Sequence, residues 1–455
     1  MTQLPCESTK LVRVSSKELK GAVTMSPFGF TPDDGSEQNP NEMTPEQLAA
    51  MLAQMQEQVT EQFQKLGINP AGFINPFSAG AESLPKSIVR DTAKKIISTS
   101  GSLPVGNTDL TVVAQASSIA QLWRNEATDF APLTSATRTL SRSDWIDSTL
   151  AGWQVTVEPL ATGLAAAVSE LMQQAINDGE AGETPMPIET IATLLRSFIS
   201  ALIATQLGHS VGALASSVTG IHDVGLPLVD PAVPALVPEN IALWSQDLEI
   251  PKSEITLFHA IREEAVARLF DSNPWLVSYI RTAISEYGKG IHIDIDAIQR
   301  QAQEAMESAN IDPNNPESFT LAIGEGMFTP DESPTQRAAL TKLETVFALI
   351  EGWTDEVTTL AVSDRLPSID ALRETFRRRR ATSAPTQQLF KSLFGLEVSP
   401  RMSREAANFW KVIREKEGVS ARDKVWSSLL PTPEDLLNPE NFLKSTEVPD
   451  DLSSL

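Results

Sequence analysis

The chain has 455 residues, enough for one large core or for two or three ordinary domains, and its 30 Pro and 23 Gly put many boundaries into it. A net charge of −23 excludes general attraction to nucleic acid or anionic lipid. Cys6 is the only cysteine, which excludes an internal disulfide and a Cys-based zinc site, and a His-rich site could draw only on His209, His222, His259 and His292.

Residues 1–43 are polar and turn-rich, a composition that predicts a disordered tail. Met25, followed by Ser-Pro-Phe-Gly-Phe, offers a second translation start beside Met1. No apolar run follows Lys10, Arg13, Lys17 and Lys20, so no signal peptide is expected and a cytoplasmic location is. Thr44 as N-cap, Pro45 at N1 and Gln47 at N3 open a helix, and 44–100 reads as an N-terminal helical segment and linker. From 101 to 445 the pattern predicts one mainly α, multi-helical domain with little or no sheet, followed by a C-terminal tail at 446–455.

The first helical runs of that domain are 110–127 and 144–177, with Pro159 a possible break in the second. The apolar run 188–218 is interrupted by Glu189, Arg196, Gln206 and His209, and reads as a buried helix pair rather than a membrane span. Gly208 and Gly212, four apart, let a neighbouring helix come close there. A loop with Pro227, Pro231, Pro234 and Pro238 leads to a helix at 257–276. Asn273-Pro274 restarts a helix with Leu276, Ile280, Ala283 and Tyr287 on one side, ended by Gly288 and Gly290. Gly290-Ile-His-Ile-Asp-Ile is the best strand candidate, and a helix over 296–307 follows it.

Ser333-Pro334-Thr335-Gln336 repeats the Thr44 grammar and opens the strongest period, 334–362. Leu340, Leu343, Phe347, Ile350, Thr354, Val357 and Ala361 form one buried stripe along it. A helix from about 368 ends in four arginines, 377–380, and Thr432-Pro433-Glu434-Asp435 opens the last one. Trp244, Trp275, Trp353, Trp410 and Trp426 are expected as core anchors.

The helix at 257–276 carries the chemistry. A His-Glu-x-x-His helix brings two His, one turn apart, to one zinc, and its Glu activates a water. Glu263 fits the Glu, but Arg262 and Val266 stand where the His would be. A guanidinium has no lone pair to donate and Val has no donor atom. His259 lies on the same face, a turn too early. A plain core helix with an Arg–Glu pair fits the same residues.

Three further groups have two readings each. Glu351 is the natural downstream third ligand, while Glu344, Glu351 and Asp355 also fit an exposed acidic stripe. The neighbouring Gly352 costs roughly 1 kcal/mol against Ala in a helix interior, so something is expected to pack closely on it. His292, Asp294 and Asp296 alternate, and make either a relocated Zn, Mn or Fe site or a helix cap at Asp294. Arginines 377–380 suit a helix C-terminus and internal or subunit-interface ion pairs, and without aromatic interleaving they do not point to nucleic acid. The sequence carries no Gly-rich phosphate loop, no Gly-x-Ser-x-Gly elbow and no cysteine suited to catalysis.

Several segments together carry a resemblance. They are Gly225-Leu-Pro-Leu, Ile261-Arg-Glu-Glu-Ala with Arg268-Leu-Phe, Pro274-Trp-Leu, Gly290-Ile-His-Ile-Asp, and Leu343-Glu-Thr through Ile350-Glu-Gly-Trp-Thr-Asp. Arg365-Leu-Pro, Leu372-Arg-Glu-Thr-Phe-Arg-Arg-Arg-Arg and Leu430-Pro-Thr-Pro-Glu-Asp-Leu complete the set. In this order, over about 105–445, the chain resembles the actinobacterial zincin-like family labelled zinc-dependent metalloprotease or hydrolase. The resemblance implies a helical domain with a metal site made by two helices, Glu263 as general base and Glu351 as downstream ligand. It also marks the departures: Arg262 for the first His, Val266 for the second, and Trp353 where metal-competent relatives are similar to Glu-Gly-His.

The resulting expectation is a non-catalytic binding or scaffolding protein needing no cofactor. In it Arg262 takes the metal's place, within about 3.2 Å of Glu351, Glu263 or both. The alternative is a working zinc metallohydrolase with a rearranged site, using His259 with Glu263 and Glu351, or the His292/Asp294 group. A third reading is assembly, with itself or an unnamed protein partner, through 188–218 and 377–380. Nucleic acid and a membrane span are not expected.

Overall fold

The computed structural model describes residues 84–177, 188–291, 333–383, 387, 389–391 and 402–446. The expectations for 1–83, for the strand and helix after Ile291, and for His292, Asp294 and Asp296 lie outside the described residues, as do those for the tail after Thr446. What is described is mainly α, with one two-stranded sheet.

The first helices are α1 (Lys86–Ser100), α2 (Asn107–Arg124), α3 (Arg142–Asn177) and α4 (Ile188–Ala215). The amphipathic α1 buries Val89, Ala93 and Ile97, one residue per turn, and packs on α4 and α3. Pro159 does not break α3. The expected helix pair over 188–218 is instead one continuous helix, α4. Its Gly208 and Gly212 serve as the contact surface for α1: a Cβ on them would lie 2.6 Å from Cβ of Thr92 and 2.7 Å from Cβ of Ile96. A polar residue in an apolar run does not turn a helix; only a broken hydrogen-bond ladder does.

The strands β1 (Arg138–Thr139) and β2 (Ala235–Leu236) pair in parallel, Arg138 opposite Ala235 and Thr139 opposite Leu236. Two-residue strands show no alternation, so the sequence could not reveal them. Their role is to tie down the loop after α4. Ile221 N donates to Ala235 O at 3.1 Å and Val237 N to Thr219 O at 2.9 Å, folding 219–237 back on itself.

The short α5 (Pro238–Trp244) precedes α6 (Lys252–Ser272), the helix of the Arg262-Glu263 motif. Every residue of α6 from Ile255 to Phe270 is buried, so it is enclosed on all sides rather than amphipathic. It is surrounded by α2, α5, β2, α8 (Pro334–Val362) and α9 (Ile369–Ser383). Between α6 and α8 runs α7 (Trp275–Lys289), which packs on α3 and α8 and buries Leu276, Ile280, Ala283 and Tyr287 as the period predicts.

Helix α8 starts with the predicted capping box: Gln336 N donates to Ser333 Oγ at 3.2 Å, and Ser333 N donates back to Gln336 Oε1 at 3.0 Å. Its stripe is buried on α6, α7 and α10 (Ser403–Lys424), and the short α11 (Pro433–Leu437) and α12 (Pro439–Thr446) close over α10. Gly352 is where α8 and α10 meet; a Cβ there would sit 2.6 Å from both Ala406 Cβ and Ala407 N. Trp353, Trp410 and Trp426 are fully buried, and Trp410 stacks on Trp426 at 5.1 Å. Trp244 is also buried, but Trp275 is not a core anchor: at the first turn of α7 it is 37% exposed. Among the described residues no helix is long and apolar enough to cross a membrane.

Candidate functional site

Helices α6, α8 and α9, the start of α10 and the 219–225 loop enclose a cavity of about 490 Å³. Arg262 projects into it from α6. Its Nη2 donates to Glu351 Oε1 on α8 at 2.5 Å, and its Nη1 lies 4.0 Å from Asp355 Oδ1, one turn further along α8. The guanidinium also covers the Phe376 ring of α9 at 3.9 Å. Val266, one turn beyond Arg262, lines the same cavity. Arg262 and Glu351 are therefore brought together.

Glu263 is not part of that pair. It turns to the 219–237 loop, where Oε1 accepts from Ala235 N at 3.0 Å and Ile221 N at 3.2 Å, and Oε2 accepts from His222 N at 3.1 Å. The imidazole of His222 adds its Nδ1–H to Oε1 at 2.8 Å. Both oxygens only receive, which assigns the proton of that bond to Nδ1. Gly220 makes the seat possible: a Cβ there would lie 2.2 Å from Glu263 Oε2. Glu264, the next residue, faces the opposite way and forms a sealed ion pair with Arg124 of α2 at 2.6 Å, joined by Thr137 Oγ1 at 3.0 Å.

Asp355 is not on an exposed stripe but buried, and held by three hydrogen bonds. Arg373 supplies Nε at 3.1 Å and Nη2 at 2.8 Å, and Arg377 supplies Nη2 at 2.6 Å. Burial works to raise its carboxyl, but the bonds and charge of Arg373, with Arg262 and Arg377, prevail and hold it below the usual range. Arg380 does the same for Asp223, reaching Oδ1 at 2.6 Å. Arg377 and Arg380, at the end of α9, thus make internal ion pairs, whereas Arg378 pairs with Glu374 on the exposed side.

The family described as Zincin-like metallopeptidase matches residues 86–443. The chain belongs to that family. Among solved structures it is similar to one from Chloroflexus aurantiacus, described as "a putative hydrolase with a novel fold". The two are 18% identical with a TM-score of 0.52, over 80% of this chain and 100% of the other, a likeness of fold alone. No curated protein matches the sequence.

A zincin fold implies zinc, and the donors present here do not fit it. Arg262 and Val266 offer no lone pair at the positions flanking Glu263, Glu351 is engaged by Arg262, and Asp355 by two arginines. Among the described residues no group of three or more His, Cys, Asp or Glu side chains could hold a metal ion. His259 lines the cavity wall with Nδ1 3.1 Å from Thr219 Oγ1 and its ring edge-on to Trp244. Burial first, then the charges of Arg262, Arg380 and Arg379, push it down to about 3 against the pull of Asp223. His259 is a neutral wall residue in this zincin-like chain.

His222, Asp223, Gly220, Phe376 and Arg380 belong to the site and were not singled out from sequence as site residues. His222 had a visible signal as one of four histidines, and Arg380 as one of the four arginines 377–380.

Proposed function

We propose that this zincin-like protein is a non-catalytic binding protein in which the Arg262–Glu351 ion pair takes the place of the zinc. The observation that carries the reading is the 2.5 Å contact between Arg262 Nη2 and Glu351 Oε1, between the first-His position and the downstream-ligand position of the motif. Glu351 is partly buried, with its side chain 25% accessible, and a carboxylate in that setting without a metal is costly unless a cation meets it; the planar guanidinium suits that role. Val266 leaves the second ligand position apolar. Glu263, the general-base position, accepts from three backbone N–H groups and from His222, so its lone pairs are committed to structure rather than to a water.

The test is metal analysis of full-length protein purified without chelator, together with a peptidase assay on casein with and without zinc. We expect substoichiometric zinc and no cleavage in either condition. Stoichiometric zinc that is lost in His259→Ala or Glu351→Ala would overturn the reading in favour of a rearranged zinc hydrolase using His259, Glu263 and Glu351. Assembly is a weaker account of the apolar 188–218 stretch, because from Ala201 onward α4 buries most of its apolar side chains, Leu202 excepted, where it packs on α1 and α3.

A further inference from the structure

The cavity has a surplus of hydrogen-bond donors. Four of its five carboxylates are engaged one by one: Glu351 by Arg262, Asp355 by Arg373 and Arg377, Asp223 by Arg380 and Thr219, and Glu263 by His222 and the loop amides. The guanidinium groups are not used up. Arg262 and Arg377 each spend one Nη2 on a carboxylate, and among the described residues their other nitrogens have no hydrogen-bond partner, the 4.0 Å approach of Arg262 Nη1 to Asp355 Oδ1 apart. Arg380 spends Nη2 on Asp223 and its Nε is buried out of a ligand's reach, while among the described residues its Nη1 has no hydrogen-bond partner. Among the described residues, arginines and no lysines line the cavity. Arginine's planar fork is the group that receives carboxylate and phosphate oxygens in pairs.

From these observations we propose that the cavity binds a small organic oxyanion, a carboxylate or a phosphate monoester, on the free N–H groups of Arg262, Arg377 and Arg380. The volume of about 490 Å³ falls in the range of small-molecule sites, roughly 300–1,000 Å³. The Phe376 ring lies 3.9 and 4.8 Å from the guanidinium carbons of Arg262 and Arg380, which places both cations at the same wall of the cavity. Glu405, at the start of α10, is the fifth carboxylate of the lining, and its Oε2 is buried without a hydrogen-bond partner among the described residues. The proposal deepens the non-catalytic reading above and rests on it in one respect: Arg262 stays in the cavity, with no zinc displacing it.

The experiment is calorimetric titration of the full chain at low ionic strength with citrate and with inorganic phosphate as separate probes, against a matched chloride blank. We expect saturable binding of at least one probe. Arg377→Gln should weaken it roughly tenfold or more, and Arg377→Lys should recover it only in part, because the charge returns without the fork. Arg378→Gln, on the exposed side of α9 with its side chain 77% accessible, should bind like the unmodified protein. Tighter citrate assigns a carboxylate ligand and tighter phosphate a phosphoryl ligand; both support the site. No saturable binding of either probe, or equal affinities in Arg377→Gln and Arg378→Gln, overturns it. If Arg377→Gln fails to fold, Arg380→Lys read against Arg378→Lys gives the same comparison. Zinc measured on the same samples separates the two readings: stoichiometric zinc overturns the non-catalytic reading, whereas zinc-free protein that binds neither anion overturns this proposal alone.

Discussion

Glu263 accepts a 2.8 Å hydrogen bond from Nδ1 of His222, so the carboxylate at the zincin Glu position orients an imidazole instead of facing Arg262. The bond joins α6 to a loop forty-one residues earlier, and the loop's own amides complete the seat. In this arrangement a catalytic-looking residue does structural work.

That relationship makes Gly220 sensitive. In Gly220→Ala the new Cβ meets Glu263 Oε2 at 2.2 Å and Cδ at 2.7 Å, and the carboxylate cannot retreat without leaving its donors. We expect a loss of about 1–3 kcal/mol, the usual cost of overpacking a tight site. Urea unfolding measures it, and an unchanged midpoint would show that the loop yields freely.

His259 gives stability a pH dependence of known sign. It is pushed down to about 3 from an ordinary 6.5, so between those values the unfolded chain binds a proton that the folded chain refuses. Its contribution is complete above 6.5 and is lost as pH falls toward 3. His259→Gln, neutral throughout, should flatten this limb. Unfolding midpoints of the two proteins between about pH 4 and pH 7 check it, and parallel curves count against it.

Restoring the motif should restore the metal. The double variant Arg262→His, Val266→His sets two imidazoles one turn apart opposite Glu351. We expect stoichiometric zinc in the double variant, none in either single one, and loss again on adding Glu351→Ala. Elemental analysis reads all four proteins.

The Arg124–Glu264 pair is fully sealed, with burial the main cause of the arginine's drop to about 9. Arg124→Met strands Glu264 and should cost about 3–5 kcal/mol. Adding Glu264→Leu should return much of that, because the charge left behind is the larger penalty. A double-mutant cycle on chemical unfolding gives the answer.

Gly352→Ala tests the α8–α10 contact. Its Cβ would meet Ala406 and Ala407 at 2.6 Å, backbone as well as side chain, so the helices must part. A loss of about 1–3 kcal/mol is expected by thermal or urea unfolding, with the Arg262–Glu351 pair untouched.

Much of this was legible beforehand. The capping box at Ser333 and the regular stripe that follows are local patterns, and α8 forms where they say. Gly352 and the Gly208/Gly212 pair announced close helix contacts because an unfavourable residue in a helix needs a packing reason. The 188–218 run, interrupted by polar residues, reads as a helix pair, yet α4 is continuous because nothing in those residues breaks the hydrogen-bond ladder. The strands were invisible because each is two residues long. Trp275 was read as core by residue type alone, yet it lies at a helix start on the surface.

At the site the division falls between donor chemistry and partnership. By itself the sequence determined which atoms are available: no lone pair at Arg262 or Val266, a carboxylate at Glu263, another at Glu351. These are properties of side chains and do not depend on the fold. Only the tertiary structure decided who meets whom. It put Arg262 on Glu351, eighty-nine residues away, turned Glu263 to His222 and three backbone amides, and buried Asp355 under two arginines. Backbone N–H groups carry no sequence signature, and a loop presents them to a carboxylate only after it has folded back on itself.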